Sequence, residues 1–305
     1  MAPGARVGVI GASGLVGTAV SAHLRARGCD VVPFSAPRGP RLSLSEGRES
    51  WVEAAQEQAE ELDLSGLDAV VNAAGNADPV SSDDAAFLWP NAVLPLCLLR
   101  ACARAGVPLF VHVSSAAVQG RLRLDDSERH QPLSAYARSK SVGEELLLAE
   151  APGPTRLVIY RPVGVQVASR STTRSLVRLA SSRLSVVART PDGPSPQLTV
   201  DSMCTAVAFV LEHPDPPVVV AHTGDGLSPY ELCSLLGGRR PLRLPNAVAR
   251  TVVRAAALRH AGWGRRAEVL LFGQHVGPTW LDRQLRPTAD TAEAWQRLGR
   301  EVRGG

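Results

Sequence analysis

Short apolar runs alternate with helical segments through the first two thirds of this chain. Six runs rich in β-branched residues are continuously hydrophobic, which is typical of strands covered on both faces. These runs lie at 7–10, 31–34, 69–72, 109–113, 157–160 and 218–221. Segments with helical spacing lie between them, at 16–27, 51–62, 92–105 and 135–149. The alternation predicts an α/β fold built on a doubly wound parallel sheet.

The sequence changes character after Arg161-Pro162, where Ser, Thr and Arg become frequent and a Pro-rich turn follows at 191–196. We therefore predict a Rossmann domain over residues 1–162, rejoined by a helix and a strand within about 198–224. The remaining segments, expected to form a smaller and less regular substrate-binding region, are 163–197 and 225–305. Helices within or near the end of this region are predicted at 245–263 and 288–298.

Composition excludes several classes of protein. A 305-residue chain with 45% hydrophobic residues can bury a large core, which excludes intrinsic disorder for most of its length. The net charge of +4 is scattered and aromatic residues make up 4%, so no nucleic-acid partner is expected. No signal peptide and no apolar run near 20 residues is recognised, so we expect a cytoplasmic protein with no membrane partner. Cysteine and histidine spacing predicts no metal site.

A glycine-rich turn directly follows the first predicted strand. Gly11 permits a tight turn, Gly14 lets the backbone approach a pyrophosphate, and Gly17 allows close packing of helix on strand. The following helix offers free amides and the positive end of its dipole to an anion. We therefore predict a dinucleotide site. The residues assigned to it here are Gly11, Ser13, Gly14, Leu15, Val16 and Gly17.

The end of the second strand distinguishes NAD from NADP, because an acidic residue there binds the ribose 2′-hydroxyl whereas a basic one suits a 2′-phosphate. No carboxylate follows this strand; Ser35 and Arg38 do, with Arg41 as a further candidate. These residues favour NADP as the cofactor. NAD stays possible, because arginine is so common in this chain that its presence here carries little information.

One lysine, Lys140, stands among the 33 basic residues of the chain. Tyr136 precedes it by four positions, which places both side chains on the same face of a helix. An ammonium and a cationic nicotinamide ring both stabilise phenolate and lower the pKa of a tyrosine. A compact ammonium also hydrogen-bonds a ribose hydroxyl in a geometry that a planar guanidinium does not reproduce. In isolation such a pair is more often a solvated helix face.

The pair is not isolated, because the buried strand at 109–113 ends in the hydroxyl residues Ser114 and Ser115. Ligands of α/β proteins bind at this edge of the sheet. A serine hydroxyl at that place can donate a hydrogen bond to a substrate carbonyl and stabilise the negative charge that develops as hydride arrives. We therefore predict Ser115, Tyr136 and Lys140 as the catalytic residues.

Together these features resemble the extended short-chain dehydrogenase/reductase family, the group of nucleotide-sugar epimerases, dehydratases and ketoreductases. The resemblance covers most of the chain. Besides the glycine turn, it rests on Asn72-Ala73-Ala74-Gly75, Asn91, Ser114-Ser115, Tyr136-x-x-x-Lys140, Arg161-Pro162-Val163 and Val200-Asp201.

The resemblance implies a role for each matching residue. Ser115 and Tyr136 polarise and protonate a carbonyl, or deprotonate the matching alcohol, and Lys140 holds the nicotinamide ribose. The residues implied to contact or support the dinucleotide are Asn72, Ala73, Ala74, Gly75, Asn91, Val113, Ser114, Tyr136, Lys140, Pro162 and Val163. For Asn91 the alternative is that it caps a helix after Pro90.

Two departures from the family narrow the expected function. Ala116-Ala117 stands where the sugar 4,6-dehydratases of the family carry an acidic pair, which disfavours dehydration. Gln119 stands where the family often has tyrosine. We expect an NADP-dependent 4-ketoreductase acting on a nucleotide-linked ketosugar or a similar metabolite. The alternatives are an NAD-dependent nucleotide-sugar 4-epimerase and a dinucleotide-binding sensor without catalysis. A homodimer is common in the family.

Overall fold

A computed structural model describes residues 4–77, 83–150, 153–259, 261–285 and 290–304, without the side chains of Leu44 and Ala261. The chain divides into two compact units. The first comprises Met1–Gly120, Asp126–Arg161 and Cys204–Ala221, and the second comprises Arg121–Asp125, Pro162–Met203 and His222–Gly305. Arg121–Asp125, expected within the Rossmann domain, belongs to the second unit, and the other bounds differ by a few residues from those expected, because the units follow contacts in space rather than changes in composition.

Ten strands are present in the described residues. They are β1 (Arg6–Ile10), β2 (Asp30–Phe34), β3 (Ala69–Asn72), β4 (Leu109–Val113), β5 (Arg156–Pro162), β6 (Gly164–Gln166), β7 (Val186–Ala188), β8 (Gln197–Thr199), β9 (Val219–His222) and β10 (Leu242–Leu244). Six of them form a parallel sheet in the order β2-β1-β3-β4-β5-β9. The predicted doubly wound α/β fold is confirmed.

Twelve α-helices are present in the same described ranges. They are α1 (Leu15–Ala26), α2 (Gly47–Glu60), α3 (Asp84–Leu88), α4 (Leu94–Ala105), α5 (Ala135–Glu150), α6 (Ser171–Ser181), α7 (Val200–Glu212), α8 (Pro229–Gly237), α9 (Asn246–Arg259), α10 (Ala261–Phe272), α11 (Trp280–Gln284) and α12 (Asp290–Gly304). The helices predicted between the strands of the main sheet all form.

One part of the core of the first unit lies between the sheet and helices α2, α4 and α5. Phe110 of β4 and Ile159 of β5 pack there with Leu98 of α4 and Leu147 of α5, and all four are buried. Alternate residues of a strand face the same side, so His112 shares the face of Phe110. The register of the strands therefore directs a polar side chain toward the helices at the carboxyl end of the sheet.

Among the described helices, the continuous stretch Asp84–Ala105 is long and apolar enough to span a membrane by length and composition. This stretch is longer than any apolar run that the sequence analysis recognised. Within it, 78% of the most apolar window is buried inside the protein. Burial of most of this window inside the protein is typical of a core helix.

Three expectations for the second half of the chain need correction. Residues 163–197 are more regular than predicted, because they contain α6 and take part in two small parallel sheets, β6-β8 and β10-β7. The single helix predicted at 245–263 is two helices, α9 and α10, which lie so close that a Cβ atom at Gly264 would be 2.5 Å from the Cβ of Ala257. The helix expected at 288–298 begins at Asp290 and runs to Gly304, and residues 288 and 289 lie outside the described ranges.

Candidate active site

The carboxyl ends of β1, β3 and β4 lie at one edge of the sheet. Their register aligns Ile10 with Asn72 and Asn72 with His112. Because the strands are parallel, the residues that follow each of them meet at this edge, where open α/β sheets bind ligands. The glycine turn, the turn after Asn72 and the hydroxyl residues after Val113 are thereby brought into one region of the first unit.

The glycine turn has the geometry that the spacing predicts. Gly11 has a φ of +77°, a conformation that side chains other than that of glycine rarely adopt. A Cβ atom at Gly17 would lie 2.1 Å from the carbonyl oxygen of Gly11, so α1 can pack against this turn only with glycine there. Both positions therefore require glycine for physical reasons.

The N-terminus of α1 can accept an anion. Gly14 is the N-cap and forms no side-chain cap, and the first turn of this helix carries no acidic residue. The amides of Leu15 and Val16 therefore have no side-chain acceptor at the cap, and the helix dipole favours negative charge there. Ser13 is exposed beside them. These features fit the pyrophosphate of a dinucleotide.

Asn72 shapes the second turn of the site. Its Oδ1 accepts a hydrogen bond from the amide of Ala74 at 3.0 Å, and its Nδ2 lies 3.1 Å from Nδ1 of His112. The amide of Ala73 bonds the carbonyl of Ile10. Burial lowers the pKa of His112 well below its usual value, with a smaller contribution from the charge of Lys140. Asn72 is thus a buried support of the turn.

Asn91 lies in a π-helical turn, Trp89–Val93, between α3 and α4. Its side chain is buried and accepts from the amide of Asn76 at 2.9 Å while donating to the carbonyl of Asn76 at 2.8 Å. It also donates to Oγ of Ser139 at 3.0 Å. The alternative in which Asn91 caps a helix is wrong, because the chain is already helical from Asp84. Single π turns of this kind are frequent at functional sites.

Lys140 is 4% exposed, and its ammonium donates to the carbonyl of Val113 at 3.1 Å. A Cβ atom at Gly75 would lie 3.2 Å from Nζ of this lysine and 2.8 Å from Oδ1 of Asn91. Burial lowers the pKa of Lys140 to about 8, although the charge of Glu144 raises it. The lysine, Asn91 and the turn at Gly75 therefore meet in one small space that a larger residue at position 75 would fill.

Tyr136 lies in the first turn of α5, four residues before Lys140, and is half-buried. Its ring meets that of Phe87 edge to face, with centroids 6.4 Å apart. Ser115 caps the short 3₁₀ turn Ala116–Gln119, where its Oγ accepts from the amide of Ala117 at 3.2 Å. The proton of this hydroxyl stays available for another acceptor. The predicted catalytic roles of these residues stay predictions.

Ser114 differs from its neighbour because its hydroxyl proton and its amide N–H are both engaged within the protein. Its hydroxyl donates to Oε1 of Glu144 at 2.5 Å, and its amide donates to the carbonyl of Tyr160 at 2.8 Å. Ser114 can therefore contact a dinucleotide only as an acceptor, through its carbonyl or hydroxyl oxygen. Sequence reasoning missed Glu144, although its position four residues after Lys140 places it on the same helix face.

The loop after β2 is anchored by an aromatic side chain. Nε1 of Trp89 donates to the carbonyl of Pro37 at 3.0 Å, and the ring lies so close to Gly39 that a Cβ atom there would clash with it. Ser35 and Arg38, predicted to select the cofactor, are both exposed on this loop. Arg41 forms an exposed ion pair with Asp83, with 3.7 Å between its guanidinium nitrogen and a carboxylate oxygen.

Two predicted cofactor residues, Pro162 and Val163, belong to the second unit, where the amide of Val163 donates to the carbonyl of His222 at 3.2 Å. Their contacts with a dinucleotide stay predictions. Gln119 is buried. Across the described ranges, no group of three or more His, Cys, Asp or Glu residues is placed to hold a metal ion.

The sequence matches the model of the NAD dependent epimerase/dehydratase family over residues 7–220. The chain therefore belongs to this family and is a nicotinamide-dependent enzyme of the extended short-chain dehydrogenase/reductase class. No curated protein matches it significantly by sequence.

Solved structures share the fold at low identity. The UDP-glucose 4-epimerase of Thermotoga maritima is 17% identical with a TM-score of 0.65, covering 98% of this chain and 99% of that one. TunA, an NAD-dependent NDP-hexosamine 5,6-dehydratase of tunicamycin biosynthesis, is 19% identical with a TM-score of 0.65 and 98% coverage of both chains. The UDP-glucuronic acid 4-epimerase of Bacillus cereus, bound to NAD, is 17% identical with a TM-score of 0.59, covering 98% of this chain and 99% of its own.

Proposed function

We propose that this enzyme is a nucleotide-sugar 4-epimerase. The observation that carries the proposal is the burial of Lys140 between Val113, Gly75 and Asn91, one helical turn beyond Tyr136. This arrangement suits hydride chemistry at a carbinol. Membership of an NAD dependent family and the likeness to two 4-epimerases support a reaction without net redox change.

The side chains of the first unit supply the proton chemistry in this proposal. The phenolate of Tyr136 takes the proton of the sugar C4 hydroxyl. It returns the proton after the ketosugar has turned its opposite face toward the nicotinamide. Ser115 donates a hydrogen bond to the same oxygen, and Lys140 stabilises the phenolate and bonds the ribose. When bound, the nicotinamide supplies a hydride acceptor in its oxidised form and a hydride donor in its reduced form. The turn at Gly11 and the amides of α1 hold the pyrophosphate.

A second candidate, an NADP-dependent 4-ketoreductase, is favoured by one specific observation. The exposed loop after β2 presents Ser35 and Arg38 and no carboxylate that would repel a 2′-phosphate. The same catalytic residues serve both reactions. A dehydratase is disfavoured because Ala116 and Ala117 provide no acid or base beside Ser115.

The deciding experiment incubates the purified enzyme with UDP-glucose, UDP-glucuronic acid and a nucleotide 4-ketosugar, each with NAD⁺, NADH or NADPH. Formation of the C4 isomer with unchanged cofactor absorbance supports the epimerase. Stoichiometric loss of NADPH with the ketosugar supports the reductase and contradicts the epimerase. Absence of both reactions, with the enzyme shown to bind NADH, contradicts the nucleotide-sugar assignment.

A carboxylate introduced at position 35 tests the role of the loop after β2. We expect Ser35→Asp to weaken NADPH binding by about tenfold or more, because a carboxylate there repels a 2′-phosphate, and to leave NADH binding equal or tighter. Calorimetric titration of the wild type and the variant with both cofactors measures the change. Equal losses for NADH and NADPH would contradict a role in cofactor selection.

A further inference from the structure

A buried polar cluster lies behind the proposed catalytic residues. Glu144 and Arg161 are both fully buried, and Oε2 of the carboxylate lies 2.5 Å from Nη2 of the guanidinium. The Nε group of Arg161 donates to both carboxylate oxygens at 3.0 Å. His130 contributes Nε2 at 2.7 Å from Oε2, and Ser114 contributes its hydroxyl at 2.5 Å from Oε1. The carboxylate is therefore surrounded by donors.

The three donors and the carboxylate come from different parts of the first unit. Ser114 follows β4, Arg161 is in β5, Glu144 is in α5, and His130 lies in the connection between β4 and α5. Arg161 also donates from Nη1 to the carbonyl of Ser127 in that connection, at 2.6 Å. One carboxylate thus joins the strand end that carries the catalytic serine to the helix that carries the tyrosine and the lysine.

The position of Glu144 also gives it an electrostatic effect on Lys140. The two residues are four positions apart on α5 and share a face. Burial disfavours the charged form of Lys140, and the negative charge of Glu144 opposes that effect. Burial alone raises the pKa of Glu144. Hydrogen bonds from His130 and Arg161, together with the charge of Arg161, outweigh this effect, so the pKa lies below its usual value and the carboxylate stays ionised.

We propose that Glu144, clamped by Arg161, is a positioning residue for the reaction: it holds Ser115 in register with Tyr136 and Lys140, and its charge stabilises the ammonium of Lys140. This inference deepens the proposed function and rests on the roles given there to Tyr136 and Lys140. A buried ion pair is weak evidence for stability alone, since an apolar replacement of both partners is often as stable. Glu144 also bonds Ser114 directly, so the pair fixes the position of the neighbouring Ser115.

The sign of the electrostatic effect can be measured directly, because Lys140 is the single lysine of the chain. Protein labelled with ¹³C at the lysine ε-carbon gives one side-chain resonance, whose shift with pH reports the titration of Lys140. Among the described residues, Glu144 on α5 and His112 on β4 interact electrostatically with this ammonium, and Tyr136 lies one helical turn before it on α5. Tyr136→Phe serves as the background, because it removes the phenol that lies one helical turn before Lys140. His112 stays neutral on the alkaline side because burial lowers its pKa.

We expect Glu144→Gln to lower the titration midpoint of Lys140 by about one pH unit or more, because the charge that favours the ammonium is lost. The matched control is Glu150→Gln. Glu150 is on the same helix as Glu144, and its carboxylate lies 2.8 Å from the guanidinium of Arg100. We expect no shift in this control. An unchanged or raised midpoint in folded Glu144→Gln would overturn the inference.

Misfolding is recognised by the opposite sign, because an unfolded chain titrates its lysine near the usual value of about 10.4. If Glu144→Gln does not fold, the double variant Glu144→Met with Arg161→Met replaces the ion pair by apolar side chains. We expect its midpoint to fall as well, and an unchanged midpoint there overturns the inference. The resonance needs no cofactor or sugar, so these outcomes are independent of whether the proposed epimerase reaction is found.

Turnover separates positioning from simple loss of stability. On the wild-type background, we expect Glu144→Gln to lower kcat by about tenfold or more, with a smaller change in KM. We also expect the alkaline limb of the curve of kcat against pH to move to lower pH. Ser114→Ala removes only one bond to the carboxylate and is expected to lower kcat without displacing that limb. A uniform loss of activity in Glu144→Gln, with the limb unmoved, contradicts the proposal.

Discussion

Tyr136→Phe is expected to lower turnover by about 10² to 10⁴-fold, the range that a positioned acid or base contributes, while cofactor binding persists. The substitution removes the phenolic oxygen and keeps the ring, so the edge contact with Phe87 at 6.4 Å is retained. The variant should therefore fold normally. Steady-state kinetics with the nucleotide sugar and NADH titration by fluorescence measure the two effects separately.

Tyr230→Phe is a matched control for this experiment. Tyr230 lies in α8 of the second unit, where Arg243 stacks on its ring at 4.1 Å, a contact that phenylalanine retains. We expect its turnover to equal that of the wild type. Unchanged turnover in Tyr136→Phe would sink the proposed acid–base role, and loss of NADH binding in that variant would indicate a structural defect instead.

Lys140→Arg is expected to reduce kcat/KM by about 10²-fold or more although it preserves the charge. The ammonium lies in a closed space beside Gly75 and bonds the carbonyl of Val113 at 3.1 Å. A planar guanidinium is larger and directs its donors differently, so it must displace the turn or lose the ribose contact. Kinetics and NADH affinity report the loss, and Lys140→Met, which lacks the charge, should be at least as impaired.

Arg138→Lys is the control for the lysine substitution. Arg138 lies two positions earlier on α5, is half-exposed, and pairs with Asp84 at 3.2 Å. Exchange of the two basic side chains at an exposed ion pair changes stability by less than about 1 kcal/mol. Activity close to that of the wild type is expected. Full activity in Lys140→Arg would show that the site needs only a positive charge at this position.

Local sequence patterns predicted most elements of the fold. Continuous apolar runs and helical spacing placed the main strands and helices because both signals depend on burial along one segment. The division of 245–263 into α9 and α10 was missed, since each half has helical character. The two helices lie so close that a Cβ atom at Gly264 would be 2.5 Å from the Cβ of Ala257, a contact in space that local spacing does not reveal. The helix at Ser171–Ser181 was missed because its Ser, Thr and Arg residues resemble those of a loop.

For the site, the sequence by itself determined the glycine turn, the tyrosine and lysine spacing and the hydroxyl residues after β4. Each is a short motif whose chemistry depends on neighbours in the chain. Only the tertiary structure decided that Asn91 lies in a π turn bonded to Asn76, and that Glu144 is buried against Arg161. Those contacts join residues 15 and 17 positions apart in separate elements, and such pairings arise from packing that no local pattern records.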